Sequence, residues 1–200
     1  MNEYQNQQKI DSLLDFAARA GASRAKRLPP ESVCVEGRLA ALCREPKCPN
    51  YGQSMSCPPF VAGPESFKKK LQSCIHVLVF RIEIQPSSLH GEDRPAVMRL
   101  LHEITAEIET EAKRLGFTES EGFAGGSCKP SFCYDQQNCR VIAEHGACRH
   151  PEHARSSLSG YGVKVAALMK SAGWSSNLFS STAIDQEEQL TWVAGLVLLR

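Results

Sequence analysis

The sequence predicts an α+β protein in which a single mixed core of strands and helices carries two cysteine-rich metal-binding loops. Segments with helical and with strand-like hydrophobic periodicity alternate along the 200 residues without a tidy repeat. Two stretches that are poor in apolar residues and rich in cysteine lie on either side of the central segments. We therefore expect one cysteine-rich metal-binding domain over residues 1–200, rather than two independent domains.

The N-terminal part, residues 1–28, is expected to be helical. Its apolar residues from Ile10 to Ala18 recur at helical spacing, and Gly21 follows them. This pattern predicts an amphipathic helix over about residues 6–20. The spacing of the apolar residues implies that one face of this helix packs against the core.

A short extended piece is expected next, because Val33, Val35 and Leu39 are apolar within a segment that follows two prolines. It leads into the first cysteine-rich loop, residues 43–59, where Pro, Gly, Asn and Ser dominate. A short polar helix is expected after Gly63-Pro64. The first cysteine-rich loop is irregular, so it needs a stabilising interaction to fix its conformation.

The central core, residues 74–124, is expected to run strand, helix, strand. Residues 75–84 are rich in β-branched and apolar side chains and predict the first strand. Residues 95–115 carry one apolar face, with a proline in the first turn and a glycine just past the end, and predict a helix. Residues 117–123 are expected to form the next strand.

The second cysteine-rich loop, residues 128–155, follows Gly125-Gly126. A further helix is expected over about residues 163–171, because Gly173 ends its pattern, and residues 190–199 are expected to form a terminal strand. These elements complete the predicted core around the two loops.

Composition and charge exclude several classes of protein. The chain has 23 basic and 22 acidic residues, so it lacks the basic field that nucleic-acid binding usually needs. No apolar run approaches the length of a membrane span, and the first residues do not resemble a secretory signal. We therefore expect a cytoplasmic protein that binds neither membranes nor nucleic acid. In that reducing compartment its nine cysteines are not expected to pair as disulfides.

Seven of the nine cysteines fall into two spaced groups. The first group is Cys43-x4-Cys48-x8-Cys57. The second group is Cys128-x4-Cys133-x5-Cys139-x8-Cys148. Clustered thiolates repel one another unless a cation shares their charge, so coordination of a soft metal is the expected explanation in a reducing cell.

The spacing favours an iron–sulfur cluster over zinc. Structural zinc sites usually draw on closely spaced cysteine pairs, and neither group contains a CxxC pair. The wider gaps suit a larger object, such as a [4Fe–4S] cube whose ligands approach from a loop around it. Proline directly after a ligand cysteine, as at Pro58, also occurs in ferredoxin-like segments. We expect one or two clusters, with zinc as the alternative.

The first group supplies three cysteines and leaves its fourth ligand open. The possibilities for this ligand are Cys34, a neighbouring histidine, a cysteine of the other loop, or no residue at all. Cys34 alternates with valines and Cys74 opens a strand, so both are interpreted as residues of the apolar core. His150 and His153 are close enough along the chain to Cys148 to be ligands, but are interpreted as polar loop residues.

Two sequence motifs resemble those of the family known as domain of unknown function 2284, described as predicted metal-binding proteins. The first is the segment from Cys43 to Gly52 followed by Cys57-Pro58-Pro59-Phe60. The second runs from Gly125 to Cys148-Arg149-His150-Pro151, with Ala154-Arg155-Ser156-Ser157 after it. The resemblance implies that the seven loop cysteines bind the metal. The family's closing motif usually reads Ala-Arg-Pro-Ser-Met-Glu, and here serines and a leucine replace its proline, methionine and glutamate.

The expected function is electron transfer, or service as an accessory to a redox enzyme, through a redox protein partner. One alternative is a zinc module whose loops bind a partner. The other is an enzyme in which the three-cysteine group keeps one iron open to substrate, because an open metal acts as a Lewis acid.

Overall fold

The computed structural model of the protein describes residues 3–176 and 190–200. A mixed five-stranded sheet lies at its centre. The strands are β1 (Arg24–Leu28), β2 (His76–Ile84), β3 (Glu121–Ala124), β4 (Ser156–Ser157) and β5 (Thr191–Leu199). Their order across the sheet is β1-β2-β5-β3-β4, and only the β3–β4 pair is parallel.

Helices cover both faces of this sheet. They are α1 (Glu3–Arg19), α2 (Gly37–Ala41), α3 (Gly63–Gln72), α4 (Pro86–His90), α5 (Arg94–Arg114), α6 (Cys128–Phe132), α7 (Arg140–Ala143) and α8 (Val165–Ser171). None of the helices in the described ranges has both the length and the hydropathy needed to cross a bilayer. The observed architecture confirms the α+β class.

The two central strands explain why the core is apolar on both sides. In β2, Leu78 and Phe80 belong to the cluster that contains the inner faces of α1 and α5. Val77 and Val79 point the other way, into a second cluster with residues of α3 and α8. Every residue of β5 is buried. Strands that are covered on both faces appear in the sequence as continuous apolar segments, as these two do.

The parallel pair β3–β4 frames the second cysteine loop. The chain leaves β3 through Gly126, which has φ +79°, and a Cβ there would lie 2.5 Å from Cε of Met98. The chain returns at β4, where the Ser157 N–H donates to the carbonyl of Ser56 at 2.8 Å. This bond ties the first cysteine loop to the same edge of the sheet.

The structure confirms most predicted elements and corrects several boundaries. The strand β1 lies within the segment expected to be only helical. It is a partly exposed edge strand in which Arg24, Lys26 and Arg27 interrupt any apolar pattern. The strand expected from residue 117 begins at Glu121 because the Ser120 N–H closes a turn onto the carbonyl of Phe117 at 3.0 Å.

Two further boundaries differ from the sequence prediction. Leu39 lies in α2 rather than in an extended piece. The helix expected from residue 163 begins at Val165, because Val35 and Val163 form an antiparallel bridge just before it. The second cysteine loop, for which no regular structure was predicted, contains the short helices α6 and α7.

Candidate metal centre

The first cysteine loop is a series of tight turns. The Cys48 N–H donates to the carbonyl of Cys43 at 3.0 Å, and the Cys57 N–H donates to the carbonyl of Ser54 at 3.1 Å. Cys57 is buried, whereas Cys43 and Cys48 are partly exposed. Burial raises the pKa of Cys43, and the nearby thiols of Cys48 and Cys57 raise it further. The turns of this loop therefore place its thiols near enough for their charges to affect one another.

The second loop places its four cysteines at the ends of short helical turns. Cys128 begins α6, where the Ser127 hydroxyl caps the helix by accepting the Lys129 N–H, and Cys133 directly follows α6. Cys139 directly precedes α7. These side chains line one cavity together with that of Cys148.

The two loops meet near Cys57 and Cys128, because Ser56, next to Cys57, accepts the Cys128 N–H at 3.3 Å. Burial raises the pKa of Cys128, and the charges of Cys57 and Cys148 raise it as well. Burial also raises the pKa of Cys133, to which Cys148 and Cys139 contribute.

Four of the seven thiols line one cavity, and the thiols do not converge on one point. All nine cysteines are free, so no disulfide closes either loop. Within the described ranges, no three His, Cys, Asp or Glu side chains are placed to hold one metal ion. A preformed tetrahedral zinc site would bring four donors to within about 2.3 Å of a common centre. The donors are soft sulfurs, which fit zinc or an iron–sulfur group by their chemistry.

Hydrogen-bond donors and cations lie against these sulfurs. The backbone N–H of His150 donates to Sγ of Cys148 at 3.4 Å. The ammonium of Lys129 holds the carbonyls of Cys133 and Gln136, and Arg140 and Arg149 also line the cavity. Such groups stabilise negative charge on thiolates, as sites of metal thiolates require.

The two candidate histidines of the loop stack on an aromatic ring. The ring centroid of Phe132 lies 5.4 Å from that of His150 and 6.0 Å from that of His153. The guanidinium of Arg99 lies over the same Phe132 ring, at 5.5 Å. Both histidines therefore pack on α6 within the second loop, and Phe132 joins this stack to Arg99 of α5.

The remaining two cysteines lie apart from the seven. Cys74 is half-buried beside the second apolar cluster, and its thiol donates to the carbonyl of Lys70 at 3.0 Å. Burial raises the pKa of Cys74 to about 11. Cys34 is exposed and faces Glu36, so its interpretation as a core residue was wrong. Alternation puts Val33 and Val35 on one face and Cys34 on the opposite one.

A buried clamp between α5 and the end of the second loop was not predicted from the sequence. His102 is fully buried and its Nδ1 accepts the Arg155 N–H at 3.1 Å. The Arg155 guanidinium bonds Glu109 at 2.6 Å, and Glu109 also accepts the Gly122 N–H. His102 occupies the same face of α5 as Glu109, seven residues later, and this spacing is the signal that could have found it.

Lowering the pH from 7 to 5 is expected to cost about 2 kcal/mol of folding stability through His102. Burial, with Arg155 nearby, lowers the pKa of His102 to about 4. Between this value and the unfolded pKa of about 6.5, the unfolded chain binds the proton and the native chain does not, so stability falls as the pH falls. Urea unfolding at each pH measures the free energy of unfolding.

The matched variants are His102→Gln and His145→Asn. We expect the difference in unfolding free energy between the wild type and His102→Gln to shrink by this amount at pH 5, because both share every other titrating group. His145 is exposed, and its replacement should retain the wild-type slope. Equal slopes in the wild type and His102→Gln would contradict the assignment.

Three buried serines are further residues that the sequence analysis passed over. Ser54, Ser56 and Ser127 lie between the two loops, and their hydroxyls form a connected series. A serine precedes a cysteine in both loops, at Ser56-Cys57 and Ser127-Cys128, and this repeat could have indicated them. Ser73-Cys74 has the same pair outside the loops, so the repeat alone is a weak signal.

Comparison with known proteins identifies a family for this chain. Residues 26–199 match the family model described as predicted metal-binding protein, DUF2284. No curated protein and no solved structure matches the chain. The match includes both cysteine loops and all five strands except the first two residues of β1.

Proposed function

Because the chain belongs to the DUF2284 family of predicted metal-binding proteins, we propose that its seven loop cysteines bind iron–sulfur clusters for electron transfer. The protein then works in the cytoplasm, either as an electron carrier or as an accessory to a redox enzyme. Its partner is a redox protein that docks near the loops.

One observation carries this proposal: four thiols line a single cavity without converging on one point. A zinc ion needs its donors around a single centre, whereas each thiolate of an iron–sulfur cube binds a different iron corner. Donors that surround a volume therefore favour the cluster over the zinc alternative.

The second loop supplies a complete ligand set, namely Cys128, Cys133, Cys139 and Cys148. The first loop supplies Cys43, Cys48 and Cys57. The nearest further cysteine along the chain, Cys34, turns its thiol to Glu36 at 3.7 Å. A bound cluster would supply one-electron chemistry. The chain itself contributes amide and hydroxyl donors to the sulfurs and two loops that shield them.

Protein prepared without oxygen tests the proposal by its iron, zinc and acid-labile sulfide content. We expect iron and sulfide in equal amounts, with broad absorption near about 400 nm that bleaches on reduction. The control is the Cys128→Ser/Cys148→Ser double variant, which should lose most of this absorption. Colourless protein with stoichiometric zinc and no sulfide would contradict the proposal and favour the zinc module.

A further inference from the structure

A series of three buried hydroxyls joins the two cysteine loops. Oγ of Ser54 lies 2.9 Å from Oγ of Ser56, which is in the same loop. It also lies 3.3 Å from Oγ of Ser127, which caps the helix that carries Cys128. The three residues are 1%, 6% and 3% exposed, so water does not compete for these bonds.

Ser56 contacts a cysteine of each group. Its Oγ lies 3.8 Å from Sγ of Cys57, and the same oxygen accepts the backbone N–H of Cys128 at 3.3 Å. The carbonyl of Ser56 is in turn held by the N–H of Ser157 in β4. Ser56 is therefore fixed between both loops and the sheet.

The number of available protons gives this series a direction. Each serine hydroxyl has one proton to donate and two lone pairs that accept. Ser127 already accepts the Lys129 N–H, and Ser56 already accepts the Cys128 N–H. A metal-bound thiolate has no proton and can only accept. Once the cysteines hold metal, the hydroxyl protons therefore run from Ser127 through Ser54 to Ser56 and end on sulfur.

From this geometry we propose that Ser54, Ser56 and Ser127 are positioning residues that couple the two cysteine groups. Ser56 directs its hydroxyl proton to the sulfur of Cys57 and accepts the backbone N–H of Cys128, so the charge on one group polarises a hydrogen bond at the other. Chained hydroxyls polarise one another, and the burial of the series strengthens the effect. The inference rests on the proposed function for the identity of the bound group.

Loss of the Ser56 hydroxyl should affect both groups. Hydrogen bonds to sulfur help to set the reduction potential of a cluster, because they stabilise the more negative reduced form. Removing this donor should move the midpoint potential to a more negative value. Residues that support metal ligands in this way typically change metal affinity by about 10- to 100-fold when they are replaced.

The test compares three variants of the full chain, all reconstituted with iron and sulfide without oxygen. Ser56→Ala removes the hydroxyl, and Ser56→Thr retains it. Ser120→Ala removes a hydroxyl that is just as buried, 3% exposed, but has no hydrogen-bond partner in the described ranges. Midpoint potential by redox titration and metal retention against a chelator are measured for each.

We expect Ser56→Ala to have a more negative potential and to lose metal at least about tenfold more readily from both groups. Ser56→Thr should restore the wild-type potential, and Ser120→Ala should match the wild type. A Ser56→Ala protein with wild-type potential and retention would overturn the inference, even though it carries clusters. If Ser56→Ala does not fold, Ser54→Ala takes its place, with a shift in the same direction expected.

Failure of the proposed function gives a different result. Wild-type protein that binds only zinc would have no redox transition. This result would contradict the proposed iron–sulfur cluster but not the inference about the three serines. Chelator competition for zinc then decides the inference: equal zinc retention in the wild type and Ser56→Ala overturns it, and faster loss from both groups supports it.

Discussion

The Cys139→Ala variant is expected to lose the metal of the second group and the order of the loop around it. Cys139 precedes α7 and lines the cavity with Cys128, Cys133 and Cys148. Residues 128–155 have few apolar contacts of their own, so metal binding supplies much of the free energy that orders them. Removing one of four thiolates would also take away one of the donors that hold the group in this loop.

The matched control is Cys74→Ala, which removes a half-buried thiol away from the seven. It should retain the metal and cost about 1 kcal/mol, from one hydrogen bond to Lys70 and some packing. Metal content per chain and limited proteolysis of residues 128–155 compare the two variants. Equal loss of metal in both would show that the nine cysteines were divided wrongly.

Replacement of Arg155 by alanine is expected to destabilise the fold by about 3 kcal/mol. Its guanidinium bonds Glu109 in an ion pair whose side chains are only 13% and 10% exposed. It also donates to the carbonyls of Pro151 and Ala154, at 3.2 and 3.0 Å. Without it, Glu109 retains Lys113 and the Gly122 N–H but is a buried carboxylate with an incomplete set of partners.

Chemical denaturation of metal-loaded protein measures this effect. Lys68→Ala breaks an exposed ion pair with Glu65, whose side chains are 47% and 80% exposed, and should cost less than about 1 kcal/mol. We also expect Arg155→Ala to weaken metal retention, because Arg155 attaches the end of the second loop to α5 through its bond to Glu109. A cost as small as that of Lys68→Ala would mean that the clamp does not support the loop.

The elements that the sequence predicted well are those in which local pattern and burial agree. The strand β2 and the helix α5 each present a long apolar pattern, and both are central in the structure. The edge strand β1 has no such pattern. It pairs with β2 on one side and is partly exposed, so it can carry three basic residues. Edge strands tolerate charged residues, and these residues interrupt the apolar alternation by which a strand is recognised in a sequence.

For the candidate site, spacing alone grouped the cysteines but not their surroundings. The spacings separated seven loop cysteines from Cys74, because turns that are short along the chain must bring their residues together in space. Alternation with valines led to the wrong prediction that Cys34 lies in the core. The spacings also did not predict where the two cysteine groups lie relative to each other. Those relations depend on residues that are far apart along the chain.

The sequence by itself determined the α+β core and predicted the two groups of loop cysteines, because periodicity and spacing are local properties. Only the tertiary structure decided that the loops meet where Ser56 accepts the Cys128 N–H. It alone placed Ser54 beside Ser127, 73 residues later, and Arg155 beside Glu109, 46 residues earlier. Such contacts exist because β3, β4 and the first loop share one edge of the sheet, and no local pattern encodes that edge.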